Sequence, residues 1–571
     1  MALQSSSEIT QSHNITIRGK KDMDKYPAKA HAHRIAEELQ VHDGLIVLSA
    51  TKSSDLPNSD MPAPFRQDRY FYYLTGCNEP NCHVVYDIKN DKLTLWLPPV
   101  DKDWRHVVFY GNGSTTEEAQ EKYDIDEAQY LQDFNGPVAS DLEKFGEEPV
   151  DSIDRSGMRD IWTTLKSLGL CCHYGSGQGH ADQKQTCLFS FHAEFLLSGP
   201  RHWQKYDKLS LIGASSTLKQ AIDTCRVIKD QYEIERIRRA NEITAEAHTS
   251  VLRGMHTFDN EAQVDAAYMQ VCIARRAKAQ AYDPIVGSGP NATVLHYSEN
   301  LANFGEGQTI VLDAGCEVEC YASDVTRTIP INRRNAGTWP SKEAEDIYLL
   351  VEKIQESCIR QMLPGNKFLN TTWHAHEMVI EGLRRLGILK GDLQEIFHAG
   401  VSTAFLPHGL GHHVGLEVHD VSPVPHPPLV SAEEEHIQRF RKSYAEYKPY
   451  AASHVQRLSK AEHFSLHSWG HGTVESVDAP VLEPGMVVTV EPGIYFNAFV
   501  LERFLKDPQK SKFVDRKVLQ RYIPVGGVRI EDDILITKHG YENLTTAPKG
   551  EAMLKVIQEA SKVRQLEASQ F

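Results

Sequence analysis

The stretch Thr309–Pro330, TIVLDAGCEVECYASDVTRTIP, constrains this chain more than any other. Thr309–Ala314 reads as a β-branched strand and Tyr321–Thr328 as a second one, joined by a short polar connection. Asp313 stands at the end of the first strand and Asp324 inside the second. Paired as a hairpin, the two strands would project both carboxylates to one side. Two carboxylates within a few ångströms repel unless a proton or a cation lies between them. Hydrolytic enzymes commonly resolve that repulsion with hard cations held by shared carboxylate oxygens. Taken alone, the pair fits a turn-capping Asp beside an exposed one equally well, so the rest of the chain decides.

At 571 residues the chain exceeds one small core, and two domains are the default expectation. The net charge of -16, from 61 basic and 77 acidic residues, argues against nucleic-acid binding, which needs a basic footprint. A protein, a peptide or a small molecule is the expected partner. The N-terminus lacks the apolar core of a signal peptide, and no stretch is long enough to span a bilayer. The ten cysteines show no disulfide-framework spacing, which predicts a cytoplasmic, reducing compartment. Neither Cys171-Cys172-His173 nor the Cys316/Cys320 pair has the matching second pair that a structural metal site needs.

Residues 1–25 are polar and read as disordered. Residues 26–215 read as an α/β domain: a helix at Ala28–Leu39, a buried strand at Gly44–Ser49, an aromatic strand at Phe71–Thr75 ended by Gly76, and a hairpin of His83–Asp87 with Leu93–Leu97. A long helix, Ser216–Arg253, opens a second domain over 216–550. Further helices are predicted at Asn260–Lys278, Ser341–Leu363 and Thr372–Leu386, with β runs at Thr309–Asp313, Val487–Glu491 and Val528–Thr537. Helices on a curved antiparallel sheet make this an α+β domain. Residues 421–476 are Pro-rich, then charged, with six histidines and no core pattern, and read as a surface insertion. Residues 551–571 form a C-terminal helix or tail.

Four further segments carry the residue types a dinuclear site needs. His408–Asp420, HGLGHHVGLEVHD, places four histidines among three glycines, a backbone suited to strand or loop rather than helix. Neutral imidazole is the usual nitrogen ligand for a first-row metal. Val487–Phe496, VVTVEPGIYF, puts Glu491 at the end of an apolar strand, where a buried carboxylate must be paired or metal-bound and an exposed one need not be. In GGVRIED, Arg529 and Glu531 fall on one side of a strand, a pattern shared with a surface ion pair. The loop Ile285–Asn300 delivers His296 just before the Asp313 strand.

Together these segments resemble the pita-bread metallopeptidase family, in the branch of Xaa-Pro aminopeptidases (aminopeptidase P) and prolidases. HGLGHHVGLEVHD closely resembles that branch's proline-peptidase signature. The paired DAG and SD elements, TVEPGIYF and GGVRIEDD follow in matching order. YPAKAHAHRIAEEL and FRQDRYFYYLTGCNEP resemble the family's creatinase-like N-terminal module. The resemblance implies a pita-bread catalytic domain with metal ligands Asp313, Asp324, His412, Glu491 and Glu531, and two divalent ions, manganese in the family. It further implies a metal-bridging hydroxide as nucleophile, with Glu491 passing a proton to the departing proline nitrogen. His419 and His408 resemble histidines that stabilise the oxyanion and contact substrate, His296 a substrate-side histidine, and Arg529 an arginine that orients carboxylates. The implied substrates are proline-containing peptides, and the implied assembly is a homodimer.

Two departures bear on specificity. The connection from His419 to Glu491 is longer than in most relatives. The run before Gly485 (ESVDAPVLEPG) lacks the arginines with which dipeptide-only prolidases hold a substrate carboxylate. Longer peptides are therefore admissible, which favours Xaa-Pro aminopeptidase over prolidase. Against this, the stretch from Tyr495 to Thr537 resembles eukaryotic prolidase in length and wording.

Overall fold

The computed structural model describes residues 25–100, 104–131, 186–189, 212–422 and 481–568. The N-terminal tail, Cys171-Cys172-His173 and the insertion beyond Ser422 lie outside the described residues.

In the N-terminal half, the helix Ala28–Leu39 packs over a five-stranded mixed sheet. Its strands are β1 (Gly44–Ser49), β2 (His83–Asp87), β3 (Lys92–Leu97), β4 (Glu127–Tyr130) and β5 (Thr186–Phe189), in the order β4-β3-β2-β1-β5. The strand β1 alternates buried and half-buried residues, as a strand with one face on a core should. The expected hairpin forms, with His83 opposite Trp96. The expected aromatic strand does not: Arg69–Thr75 is a helix. Asp68 accepts from the amides of Tyr70 (3.0 Å) and Phe71 (2.8 Å), and Gly76 closes the helix in the left-handed region at φ 64°. A short aromatic run buried on all sides carries no periodicity to separate strand from helix, and the cap decides it.

The long helix predicted from Ser216 is two helices, Ile212–Val227 and Gln231–Gly254. Asp230 breaks it by forming a reciprocal capping box with Glu233, each side chain accepting the other's amide at 2.9 Å. Helices Glu261–Ala274, Lys342–Ile359 and Phe368–Arg385 follow as expected, and Gly550–Ala568 is also helical. Between them lie β6 (Ile285–Ser288), β7 (Gln308–Asp313), β8 (Glu317–Val318), β9 (Tyr321–Ala322) and β10 (Thr326–Ile331). Later come β11 (Val487–Val490), β12 (Gly493–Tyr495), β13 (Gly527–Arg529), β14 (Asp532–Thr537) and β15 (Gly540–Asn543). They pair as β10-β7-β6, β11-β14-β15 and β12-β13, all antiparallel.

Two expected strands are interrupted. Residues 323–325 break Tyr321–Thr328, so Asp324 lies in a gap between β9 and β10 rather than inside a strand. Asp313 pairs with Thr326 instead. The connection read as a short polar turn is a buried excursion. It contains the β8–β9 hairpin, which turns through Glu319 and Cys320 at φ 49° and 67°. Val528–Thr537 likewise splits at Ile530–Glu531, between β13 and β14.

Two large apolar clusters form the interior. One fills the C-terminal half, around residues such as Val264, Leu312, Tyr348, Phe405 and Val488. The other lies under the N-terminal sheet (Ala32, Ile46, Phe71, Val84, Leu95) and continues across the boundary to Tyr321, Ala322, Val414, Leu416, Val487 and Leu535.

Candidate metal centre

Four of the five candidate ligands sit at or just beyond the end of a strand, so the strands fix the backbone while the side chain is free to turn inward. Asp313 closes β7, Glu491 follows β11, and Glu531 occupies the break between β13 and β14. His412 lies in a loop held against β11: its amide donates to Thr489 Oγ1 at 3.1 Å, and the Thr489 amide donates to the His412 carbonyl at 2.8 Å. A Cβ at Gly411 would collide with the Thr489 carbonyl, which is why the loop needs glycine there.

The structure brings Asp324, His412 and Glu531 together, with one ligand atom from each lying within 4.8 Å of the others. His412 Nε2 is 3.4 Å from Asp324 Oδ2 and 3.5 Å from Glu491 Oε1. Asp313 joins through Tyr282, whose hydroxyl is 2.5 Å from Asp313 Oδ1 and 2.5 Å from Asp324 Oδ1. The remaining Asp313 oxygen accepts from Arg529 Nη2 at 2.7 Å. Glu531 accepts from Thr326 Oγ1 at 2.7 Å. Asp313, Asp324, Glu531 and Arg529 are all buried.

The electrostatics of this arrangement are those of an anionic hole. Burial first, then Asp313, Asp533 and Glu491, drive the Asp324 pKa well above the usual carboxylate range. Burial, then Asp324 and Asp313, do the same to Glu531. The Arg529 guanidinium is hydrogen-bonded to this cluster through Asp313. Burial holds the His412 pKa down, so the ring is neutral at pH 7. Its Nδ1 lies 3.0 Å from the His413 carbonyl, which assigns the ring proton to Nδ1 and leaves the Nε2 lone pair facing two carboxylate oxygens. Three acceptors face one another at distances that only a proton or a cation between them reconciles. A set of oxygens with one imidazole nitrogen suits hard-to-borderline divalent ions. The residues present therefore fit a metal.

The other expected site residues ring this cluster. His419 is exposed at the rim, its ring 4.0 Å from that of His412. Repulsion from His412 when that ring is protonated, then the part of the His419 ring packed against it and His296, hold the His419 pKa down at about 3. His296 is exposed in the turn after a short helix, Gly289–Thr293. Both ring nitrogens of His408 are engaged within the protein: Nδ1 at 2.6 Å from the Gly409 carbonyl and Nε2 at 2.9 Å from the Tyr495 hydroxyl. Tyr495 in turn accepts from Arg529 Nη1 at 2.8 Å, making a chain Arg529–Tyr495–His408. Burial and Arg529 keep the His408 pKa at about 3.

Sequence reasoning missed Tyr282, Thr326 and Tyr495, although the last two lie inside stretches it singled out. Tyr282 precedes β6 with no local signal. It also missed Asp420, which accepts from Arg226 Nη2 at 2.7 Å and Lys229 Nζ at 2.9 Å, all three side chains being 1% exposed. Its amide donates to the His413 carbonyl at 2.9 Å, so this trio anchors the loop carrying His412 and His419.

Residues 235–538 match the family model for metallopeptidase family M24, and residues 29–147 match that for the aminopeptidase P N-terminal domain. A "Probable Xaa-Pro aminopeptidase" of Pyrenophora tritici-repentis is 44% identical over 551 residues, covering 95% of this chain and 73% of the relative. One from Aspergillus clavatus is 42% identical, covering 94% and 93%. Another, from Pyrenophora teres, is 44% identical, and there the chain spans 51% of the relative's length. Among solved structures, Escherichia coli aminopeptidase P superimposes with a TM-score of 0.65 at 24% identity, over 94% of this chain and 100% of that one. That likeness bears on the fold: a pita-bread catalytic domain behind an aminopeptidase P-type N-terminal domain. The chain belongs to metallopeptidase family M24.

Proposed function

We propose that the protein is a metal-dependent Xaa-Pro aminopeptidase, removing an N-terminal residue that precedes proline. The observation that carries the reading is the convergence of His412 Nε2, Asp324 and Glu491 at 3.4–3.5 Å inside a buried carboxylate cluster. The family match and the names of its relatives support the same activity. Prolidase is the less favoured reading, in line with the absence of arginines before Gly485.

In this proposal Asp313, Asp324, His412, Glu491 and Glu531 hold two divalent ions, Mn²⁺ being the family's usual choice. When bound, such ions polarise the scissile carbonyl and make a nucleophile available at neutral pH. The protein's own contribution is orientation and proton movement. Tyr282, Thr326 and Arg529 fix the carboxylate oxygens from behind, so the donors need no rearrangement as charge develops. Glu491, the most open of the carboxylates at 18% side-chain exposure, is placed to carry a proton to the proline nitrogen, which cannot leave unprotonated. His419, open to solvent at the rim, is placed to donate to the developing oxyanion. His408 acts through Tyr495, and His296 borders the substrate's approach.

Among the described residues no helix is long and apolar enough to cross a membrane. Cys77, Cys82, Cys225, Cys272, Cys316, Cys320 and Cys358 are free and buried, which suits a cytosolic location. A homodimer is proposed on the family resemblance, and light scattering of the purified chain checks it.

The test is hydrolysis of Gly-Pro-Leu and Gly-Pro side by side, with Mn²⁺ and with chelator. Metal-dependent cleavage of the tripeptide's Gly–Pro bond is expected. Cleavage of the dipeptide alone would replace the proposal with prolidase, and loss of neither activity under chelation would sink the metal mechanism.

A further inference from the structure

We infer that the N-terminal domain is a positioning element for the metal centre, holding Asp324 in place through the β8–β9 hairpin, with Arg69 as its principal contact. The inference rests on the reading of Asp324 as a metal ligand.

Asp324 lies two residues beyond β9, in a gap outside the strand ladders. Its amide is held by Asp533 Oδ2 at 3.0 Å, and its approach is set by where β9 delivers the chain. Two strands of two residues each cannot hold themselves in place. Much of what holds them comes from the other domain. Arg69 Nη2, on the helix Arg69–Thr75, donates to Glu317 Oε1 at 2.7 Å, both side chains being about 5% exposed or less. Arg66 reaches the same oxygen from the surface at 2.9 Å. The Tyr26 hydroxyl lies 3.4 Å from the Tyr321 hydroxyl, and the Tyr72 ring meets that of Tyr321 edge-on. Cys320, Tyr321 and Ala322 are buried in the N-terminal domain's own apolar cluster.

The catalytic half holds the hairpin as well: Glu319 accepts from the Tyr232 hydroxyl at 2.7 Å and from Arg236 Nε at 2.9 Å, and the Glu317 amide donates to the Ala279 carbonyl at 3.0 Å. Tyr321 donates to Glu233 Oε1 at 3.1 Å, and the Ala322 amide donates to the Gly415 carbonyl, in the His412 loop, at 2.8 Å. The hairpin is thus clamped between the domains, with a ligand two residues beyond its outgoing strand. Removing the Arg69 charge leaves Glu317 buried with one exposed partner, a state relieved by moving the hairpin toward water. Groups that orient a metal ligand from outside the coordination sphere typically affect affinity about 10–100-fold, so a hairpin shift is felt at Asp324.

The experiment uses the full chain, stripped of metal and titrated with Co²⁺, following its visible absorption alongside urea unfolding. Arg69→Met is expected to weaken Co²⁺ binding on the order of 10-fold and to alter the spectrum of the bound ion. Arg69→Lys, which keeps the charge, should recover most of both. Tyr26→Phe deletes the hydroxyl that donates to the Tyr73 carbonyl at 3.0 Å and lies 3.4 Å from that of Tyr321, and serves if Arg69→Met does not fold; it should shift binding in the same direction, by less. Superimposable titrations and spectra in wild type, Arg69→Met and Tyr26→Phe, beside a lowered urea midpoint, would make the contact purely structural and overturn the proposal. A wild-type chain that takes up no Co²⁺ would overturn the metal reading, and this inference with it.

Discussion

Asp420→Asn is the substitution whose cost the structure defines best. The carboxylate lies between Arg226 and Lys229, at 2.7 and 2.9 Å, with all three side chains shut off from water. Burial works to raise its pKa, but Lys229 and Arg226 override that and bring it from 3.8 down to about 2. A folded pKa below the unfolded one means stability present in full above about pH 4 and lost as the pH falls toward 2. At 1.36 kcal/mol per unit, this shift is worth about 2 kcal/mol at pH 7. The amide also leaves Lys229 buried without a carboxylate and Arg226 with only the exposed Glu417 at 3.2 Å, and breaking such a group costs about 3–5 kcal/mol. Urea unfolding of the metal-free chain at pH 7, followed by tryptophan fluorescence, should show a loss in that range. Replacing the trio together (Asp420→Leu, Arg226→Met, Lys229→Met) should restore most of it, since no charge remains buried. A loss below about 1 kcal/mol for Asp420→Asn alone would refute the reasoning, because the two cations would then have found other partners or water.

The remaining predictions concern the site and one cap. Tyr282→Phe removes the hydroxyl shared by Asp313 and Asp324, and should weaken Co²⁺ affinity about 10-fold, measured by competition with a chromogenic chelator. Glu531→Gln should make the metal-free chain more stable than metal-free wild type, with a gap that widens as pH rises from about 4. Burial and its acidic neighbours raise the folded Glu531 pKa, so ionisation favours the unfolded chain, and a thermal melt series across pH reads the difference. The same variant should lose the stabilisation that added Mn²⁺ gives wild type. Asp68→Ala should cost about 1 kcal/mol, by urea unfolding, through loss of the cap on the helix Arg69–Thr75.

The chemistry of the site was more legible than the backbone that delivers it. Asp313, Asp324, His412, Glu491 and Glu531 were named through the resemblance, from the order of five segments together, since each alone also fits a turn cap, an exposed carboxylate or a surface ion pair. Their partners do not stand out: Tyr282 and Thr326 are common residue types that act only through where the fold puts them. The excursion between Asp313 and Asp324 was misread because Glu317 and Glu319 look like residues of an exposed turn. Glu317 is buried by Arg69, some 250 residues away in sequence, and local pattern cannot reveal such a partner. The break at Asp230 is different, since the D-x-x-E spacing of Asp230 and Glu233 is itself a helix-start signal. The pull of a long apolar periodicity on both sides masked it.

The apolar cluster that crosses the domain boundary also sets an order of events during synthesis. Ala32, Ile46 and Leu95 leave the ribosome early, yet the same cluster includes Val414, Leu416, Val487 and Leu535. At roughly 5–20 residues per second, the first strands wait on the order of 20–90 s for their last neighbours. Through that interval the nascent N-terminal layer carries an open apolar face, with an edge available for mispairing. The final β-strands therefore do more than complete the catalytic sheet: their arrival seals the half of the protein that was made first.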